Sequence, residues 1–245
     1  MGFPIGWLQG SANYPRARLK DFKFIRKIGT GRYGVCYLAE NNLGQLVVIK
    51  RLKAINFERS LENIKYEVMI LASLYDERIP RIMGIINEDD FKGYVMTFIK
   101  GDTLSKLIKE DKYKFTKREI YSLGIKLIDI VRYLHEEGVV HNDIRSPNII
   151  IDGKEVYLID FGLARWVDWN GEGYLMDFSF LGKVLVTILS TRVPENREKS
   201  NKPLEETLGL NYEQVIFLRR LQDTNFYFES IYEIQNEFNR LFKVY

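Results

Sequence analysis

Cysteine and histidine are nearly absent from this sequence. Cys36 is the only cysteine, and His135 and His141 are the only histidines in 245 residues. One cysteine cannot close an intramolecular disulfide or supply a Cys-based zinc site, and two histidines cannot build a His-rich metal centre. A dominant charge is missing too: 36 Lys and Arg stand against 33 Asp and Glu, a net +3. That excess is too small to imply nucleic acid or an acidic membrane as a partner. The most apolar run, 178–189, contains Lys183 and falls short of the ~18 residues a spanning helix needs. The opening Met1-Gly2-Phe3-Pro4-Ile5-Gly6 has no basic segment and no long apolar one, so it does not read as a signal peptide. Gly6 stands where a myristoylation signal wants Ser or Thr. The cytoplasm is the expected compartment. No internal repeat or low-complexity linker interrupts the chain.

What remains is the composition of an ordinary soluble protein, 46% hydrophobic and 28% charged. A chain this long can bury a core without disulfides or structural metals. The first 18 residues mix Gly, Pro, Arg and aromatics without periodicity and predict an extension laid on the surface. From residue 20 to 99 the pattern favours strands. Runs at 22–28, 35–39 and 45–50 are joined by short polar turns and read as hairpins. Runs at 81–86 and 94–99 complete a sheet of about five strands. One amphipathic helix interrupts them, with Leu61, Ile64, Val68, Leu71 and Leu74 at spacings of three and four.

After Gly101 the pattern becomes helical. Thr116 and Glu119 form a capping-box signature, opening a helix with Ile120, Leu123, Leu127, Ile130, Val131 and Leu134 on one face. Asp152-Gly153 predicts a hairpin between runs at 148–151 and 156–159, and 176–242 is mostly helical. The fold class expected is α+β. A small antiparallel sheet lobe with one helix, 19–99, precedes a larger mainly helical lobe, 100–245, with the site in the cleft between them.

Four motifs follow one another in order. Gly29-Thr30-Gly31-Arg32-Tyr33-Gly34-Val35 matches G-x-G-x-x-G-x-V. Strands on both sides of it point to a loop covering phosphates rather than a dinucleotide fingerprint, which joins a strand to a helix. Glycines at 29, 31 and 34 let backbone N–H groups approach phosphate oxygens. Val47-Val48-Ile49-Lys50 places a lysine at the end of the third strand. Glu67 is its favoured ion-pair partner, with Glu58 and Glu62 as competitors on the same helix. The third motif is His141-Asn142-Asp143-Ile144-Arg145-Ser146-Pro147-Asn148. The fourth, Asp160-Phe161-Gly162, lies beyond the hairpin. Two acids and an amide on neighbouring loops can share Mg²⁺ and a substrate hydroxyl.

Together these residues resemble a eukaryotic-type (Hanks-type) serine/threonine protein kinase domain over 19–242, with a Lys-, Ile- and Asn-rich composition that suits a bacterial source. The resemblance implies ATP and Mg²⁺ (or Mn²⁺) as cofactors and a protein with a Ser or Thr hydroxyl as partner. It makes Asp143 the catalytic aspartate and Asn148 and Asp160 the metal ligands, with Arg145 neutralising the γ-phosphate and Lys50 paired to Glu67. Met96 falls at the gatekeeper position. The backbone of Thr97 and Ile99 would bond adenine, Val35, Val48 and Ile150 would form apolar walls, and Asp102 is a candidate ribose contact. Asp177 looks like the buried helix aspartate that braces the catalytic loop.

The sequence also departs from the family. Asn142 replaces the arginine that receives a phosphorylated activation loop, and Arg145 replaces the usual lysine. The stretch from Asp160 to Asp177 is roughly half the usual length, lacks Ala-Pro-Glu, and carries Tyr174 as its only hydroxyl. Trp166 and Trp169 either cover the gap or simply pack on the large lobe. No arginine occurs in Asn225-Phe226-Tyr227-Phe228-Glu229, where the family pairs one with the missing glutamate. An active kinase independent of activation-loop phosphorylation is the leading expectation. A small-molecule phosphotransferase and a nucleotide-binding pseudokinase are the alternatives.

Overall fold

The computed structural model describes residues 16–31, 34–53, 57–88, 90–167, 173–193, 208–223 and 227–243, with 57–64 described by backbone alone. The chain divides into two compact units, Met1–Ile99 and Lys100–Tyr245.

The first unit is built on a sheet. Strands β1 (Arg16–Ala17), β2 (Phe22–Thr30), β3 (Gly34–Asn41), β4 (Leu46–Leu52), β5 (Ile82–Glu88) and β6 (Phe91–Thr97) lie in the order β1-β5-β6-β4-β3-β2. Between β3 and β4 the turn is set by Asn41, whose Oδ1 accepts from the N–H groups of Leu43 and Gln45. Strand β4 is central, and Val47, Val48, Ile49 and Lys50 are all buried, which is why it reads as a continuous apolar run. Helix α1 (Phe57–Ser73) contributes buried Val68, Ile70 and Leu71, with Glu67 beside them.

Six strands are present where about five were expected, and the sixth comes from the stretch read as a surface extension. Arg16 and Ala17 pair in parallel with Ile85 and Ile86, while the other pairings in this sheet are antiparallel. Two residues are too short for periodicity to reveal. Behind them, Leu19 donates its N–H to Glu88 at 2.8 Å. Ala17, Leu19, Phe22 and Met83 pack on the core of Ala39, Val47, Ile49, Ile86, Phe91 and Val95. In a flat sheet β1 and β2 would stand about 24 Å apart. The short link between Ala17 and Phe22 reaches at most about 18 Å, so the sheet must curl.

The second unit is mainly helical. Strand β7 (Asp102–Thr103) leads into α2 (Leu104–Lys109), and α3 (Lys117–Glu136) opens on the expected capping box of Thr116 and Glu119. All six apolar residues assigned to the face of α3 are buried. Strand β8 (Val139–Val140) follows, then the hairpin of β9 (Ile149–Asp152) and β10 (Glu155–Leu158), turned at Gly153 with φ 60°. Strand β11 (Arg165–Trp166) pairs with β8, and β7 with β9.

Helix α4 (Gly173–Ser190) is longer than the apolar run at its centre, because it extends back through Asp177. Its 18 residues and mean hydropathy of 1.3 reach the length and composition of a membrane span. Here Phe178, Leu181, Leu185 and Ile188 are buried, and the helix packs on α3 and on the helix Tyr212–Arg220. A last helix, Ile231–Phe242, lays Phe238 and Phe242 against Phe217. Near the start of this helix, Arg220 reaches Glu233 at 2.8 Å and stacks over the Phe228 ring at 3.9 Å. Asn225 and Phe226 lie outside the described residues.

Candidate active site

Two constellations of polar side chains stand out, one in each unit. In the first unit, Lys50 on β4 and Glu67 on α1 form a buried pair. Nζ lies 2.7 Å from both carboxylate oxygens, with Lys50 6% and Glu67 1% exposed. The ring of Tyr94, opposite Lys50 on β6, has its centroid 5.9 Å from Nζ. Removing either partner of a pair this deep would leave a lone buried charge, at a cost of several kcal/mol (roughly 3–5). The Glu58 and Glu62 side chains lie outside the described residues.

The glycine-rich turn links β2 to β3, with Gly31 donating its N–H to the Gly34 carbonyl at 2.9 Å. Arg32 and Tyr33 at its tip lie outside the described residues. The three glycines differ in what they require. A Cβ on Gly34 would sit 2.7 Å from the Arg51 carbonyl oxygen, so packing against β4 explains this one. A Cβ on Gly29 would meet nothing within 4 Å, and one on Gly31 only the Gly34 oxygen at 3.9 Å. Neither has a positive φ. Nothing among the described residues demands glycine at 29 or 31, which fits a backbone kept bare for something outside the chain. Sequence reasoning missed Lys53, whose Nζ donates to the Gly31 carbonyl at 2.7 Å.

Of the residues expected around adenine, Val48 is buried and Val35 and Met96 are half-buried. The Thr97 N–H already donates to the Arg81 carbonyl at 2.9 Å, which takes it out of the backbone donors expected for adenine. Ile99 follows the end of β6 and is half-buried. In the second unit Ile150 is buried on β9. Asp102 holds Lys106 at 2.6 Å.

The second constellation is organised by Asp177. This fully buried carboxylate accepts the backbone N–H groups of His141 and Asn142, each at 2.8 Å, and the His135 Nε2–H at 3.1 Å. It thereby shapes the loop that presents Asp143. His141 is also fully buried, and its partners fix its tautomer. The Ile159 carbonyl can only accept, so Nε2 carries the proton at 3.2 Å, and bare Nδ1 accepts the Asp143 N–H at 3.2 Å. Burial holds its pKa below the ordinary imidazole value, outweighing the nearby negative charges of Asp177, Asp160 and Asp143.

Asp143 is gripped from two sides. Asn148 Nδ2 donates to its Oδ2 at 2.7 Å and to its carbonyl at 2.9 Å, and Arg145 Nε lies 3.1 Å from Oδ1. With both hydrogens of the Asn148 amide engaged, Oδ1 is the atom left to face a cation. Asp160 is exposed, in the left-handed region at φ 65°, while Phe161 beside it is buried with its ring edge-on to His141 at 4.7 Å. Among the described residues no cluster of three or more His, Cys, Asp or Glu could hold a metal alone. One amide oxygen and one or two carboxylates are instead what Mg²⁺ takes from a protein when phosphates and water supply the rest.

After Gly162 the chain makes a turn, runs through β11 and enters α4. Trp166 lies on β11, 37% exposed, and Trp169 is outside the described residues. Tyr174 belongs to the first turn of α4, its ring 4.4 Å from that of His135.

A sheet unit carrying a buried lysine–glutamate pair under a bare glycine turn, and a helical unit presenting an aspartate on a loop braced from its core, define a phosphotransferase class. The model of the protein kinase domain matches residues 22–181, and the chain belongs to that family. It is 31% identical over 231 residues, 90% of its own length and 89% of the relative's, to the "Probable serine/threonine-protein kinase YbdM" of Bacillus subtilis. It is 29% identical over 153 residues to a probable casein kinase I homolog of Encephalitozoon cuniculi, covering 60% of this chain and 49% of that one. Against the cyclin-dependent kinase 12 of Caenorhabditis elegans it is 31% identical over 178 residues, 67% of this chain and 24% of the relative.

Proposed function

We propose that this chain transfers the γ-phosphate of ATP to Ser or Thr hydroxyls of a protein, in the cytoplasm, with Mg²⁺ or Mn²⁺. The observation that carries the reading is Asp143, set by Asn148 and Arg145 on a loop braced by Asp177. Asp143 accepts the proton of the attacking hydroxyl, and Arg145 neutralises the phosphate being transferred. Lys50, held by Glu67, meets the α- and β-phosphates in the smaller unit. Asn148 Oδ1 and Asp160 hold the metal, which supplies charge neutralisation when bound. The Ser/Thr acceptor is supported by the relative that matches along nearly the whole chain.

The activity needs no phosphate within 163–176. Among those residues Tyr174 alone has a hydroxyl, and it packs on His135. The test is ATP turnover with and without a generic protein acceptor, for this chain and its Asp143→Asn form. Positioned general-base chemistry is worth about 10²–10⁴ in rate, and a loss of that order is expected while nucleotide binding persists. Chelation should abolish turnover and either ion should restore it, and phosphatase treatment or Tyr174→Phe should leave it unchanged. Full activity in Asp143→Asn would sink the assignment. Turnover that a protein acceptor fails to raise would favour the small-molecule reading, which the short segment after Asp160 also suits.

A further inference from the structure

Among the described residues only three non-glycine residues adopt a left-handed φ, and two flank the chemistry, Asn142 at 60° and Asp160 at 65°. Asn tolerates this region because its short polar side chain can bond locally. The two ends of Asn142 are held by different elements. Its N–H donates to Asp177, which fixes the backbone from the buried side. Its side chain turns the other way, and Nδ2 donates to the carbonyl oxygen of Leu163 at 3.3 Å. Leu163 directly follows Gly162 and sits in a turn closed by the Ala164 N–H on the Phe161 carbonyl at 3.0 Å. The loop that presents Asp143 is thus joined to the turn that follows Asp160.

We propose that Asn142 is a positioning residue, a charge-neutral tether holding the Asp160-Phe161-Gly162 turn against the catalytic loop. It rests on the reading of Asp143 and Asp160 given above. An arginine here would bring a charge that bonds most strongly to an anion. An amide needs only a carbonyl, and the chain provides one.

Two substitutions separate the side chain from the backbone. Asn142→Gly keeps the left-handed conformation and removes the donor. Asn142→Asp keeps the size and the tolerance of that conformation but sets a carboxylate against the Leu163 oxygen. Loss of one net hydrogen bond predicts a kcat about two- to tenfold lower for Asn142→Gly and lower still for Asn142→Asp. KM for the protein acceptor should stay unchanged, and the thermal midpoint should fall by no more than a few degrees (~2–4 °C). Hydrogen–deuterium exchange over 162–166, the Ala164 amide above all, should be faster in both variants. Unchanged exchange overturns the tether, even beside a lower kcat, because the loss would then not run through this turn. Wild-type kcat in both variants overturns the positioning role. If the unsubstituted chain transfers no phosphate, the reading of the site fails, and the exchange arm alone still decides for or against the tether.

Discussion

At the scale of single residues, the glycines of the first motif divide by cause, and this gives an experiment. Gly34→Ala must push a Cβ into the Arg51 carbonyl, so it should destabilise the chain by about 1–3 kcal/mol. Gly29→Ala meets nothing and should leave the thermal midpoint in place while weakening nucleotide affinity. Calorimetry on both variants checks the pair, and nucleotide binding by Gly29→Ala at full strength would show that the bare backbone serves no ligand. His141 gives a pH dependence. Its folded pKa lies below the ordinary 6.5, so the unfolded chain takes up a proton before the folded one does. Its stabilising contribution is therefore complete above that ordinary value and is lost as pH falls toward the folded one. Thermal midpoints should drop on acidification from neutrality, and more steeply than in His141→Gln. Equal slopes would mean that His141 does not carry the effect.

At the scale of elements, legibility followed the length of the pattern. Helix α3 was readable to its first residue, because the capping box and six apolar positions agree. Thr116→Ala should remove about 1 kcal/mol, a fall of a few degrees (~2–4 °C) in the midpoint of a chain this size, and an unchanged melting curve would contradict it. The paired elements of the site were equally plain, since Lys50 ends a continuous apolar run and Glu67 lies on a helix with apolar residues at spacings of three and four. Three contacts were not legible. Lys53 to Gly31, Asn142 to Leu163 and Arg220 to Glu233 each join residues whose spacing carries no period. Asn142 could be read from sequence only as a lost charge; its use as a donor depends on a left-handed backbone that no pattern announces.

At the scale of the molecule, the order of the motifs was enough to indicate a kinase, because a strand-rich segment precedes a helix-rich one and each brings its own share of the chemistry. The N-terminal edge carries a short strand that the sequence pattern did not show, and it bears on how the protein would behave in solution. The family match starts at residue 22, after β1 has already paired with β5. A chain trimmed to that boundary, or begun at Leu19, would leave the edge of β5 at Ile85 and Ile86 without the strand that pairs there, next to an apolar core. Unpaired, apolar edges recruit other chains. Such a shortened protein should sediment as concentration-dependent oligomers where the longer one does not, and a choice of start site made from the family boundary alone would create the self-association it then measured.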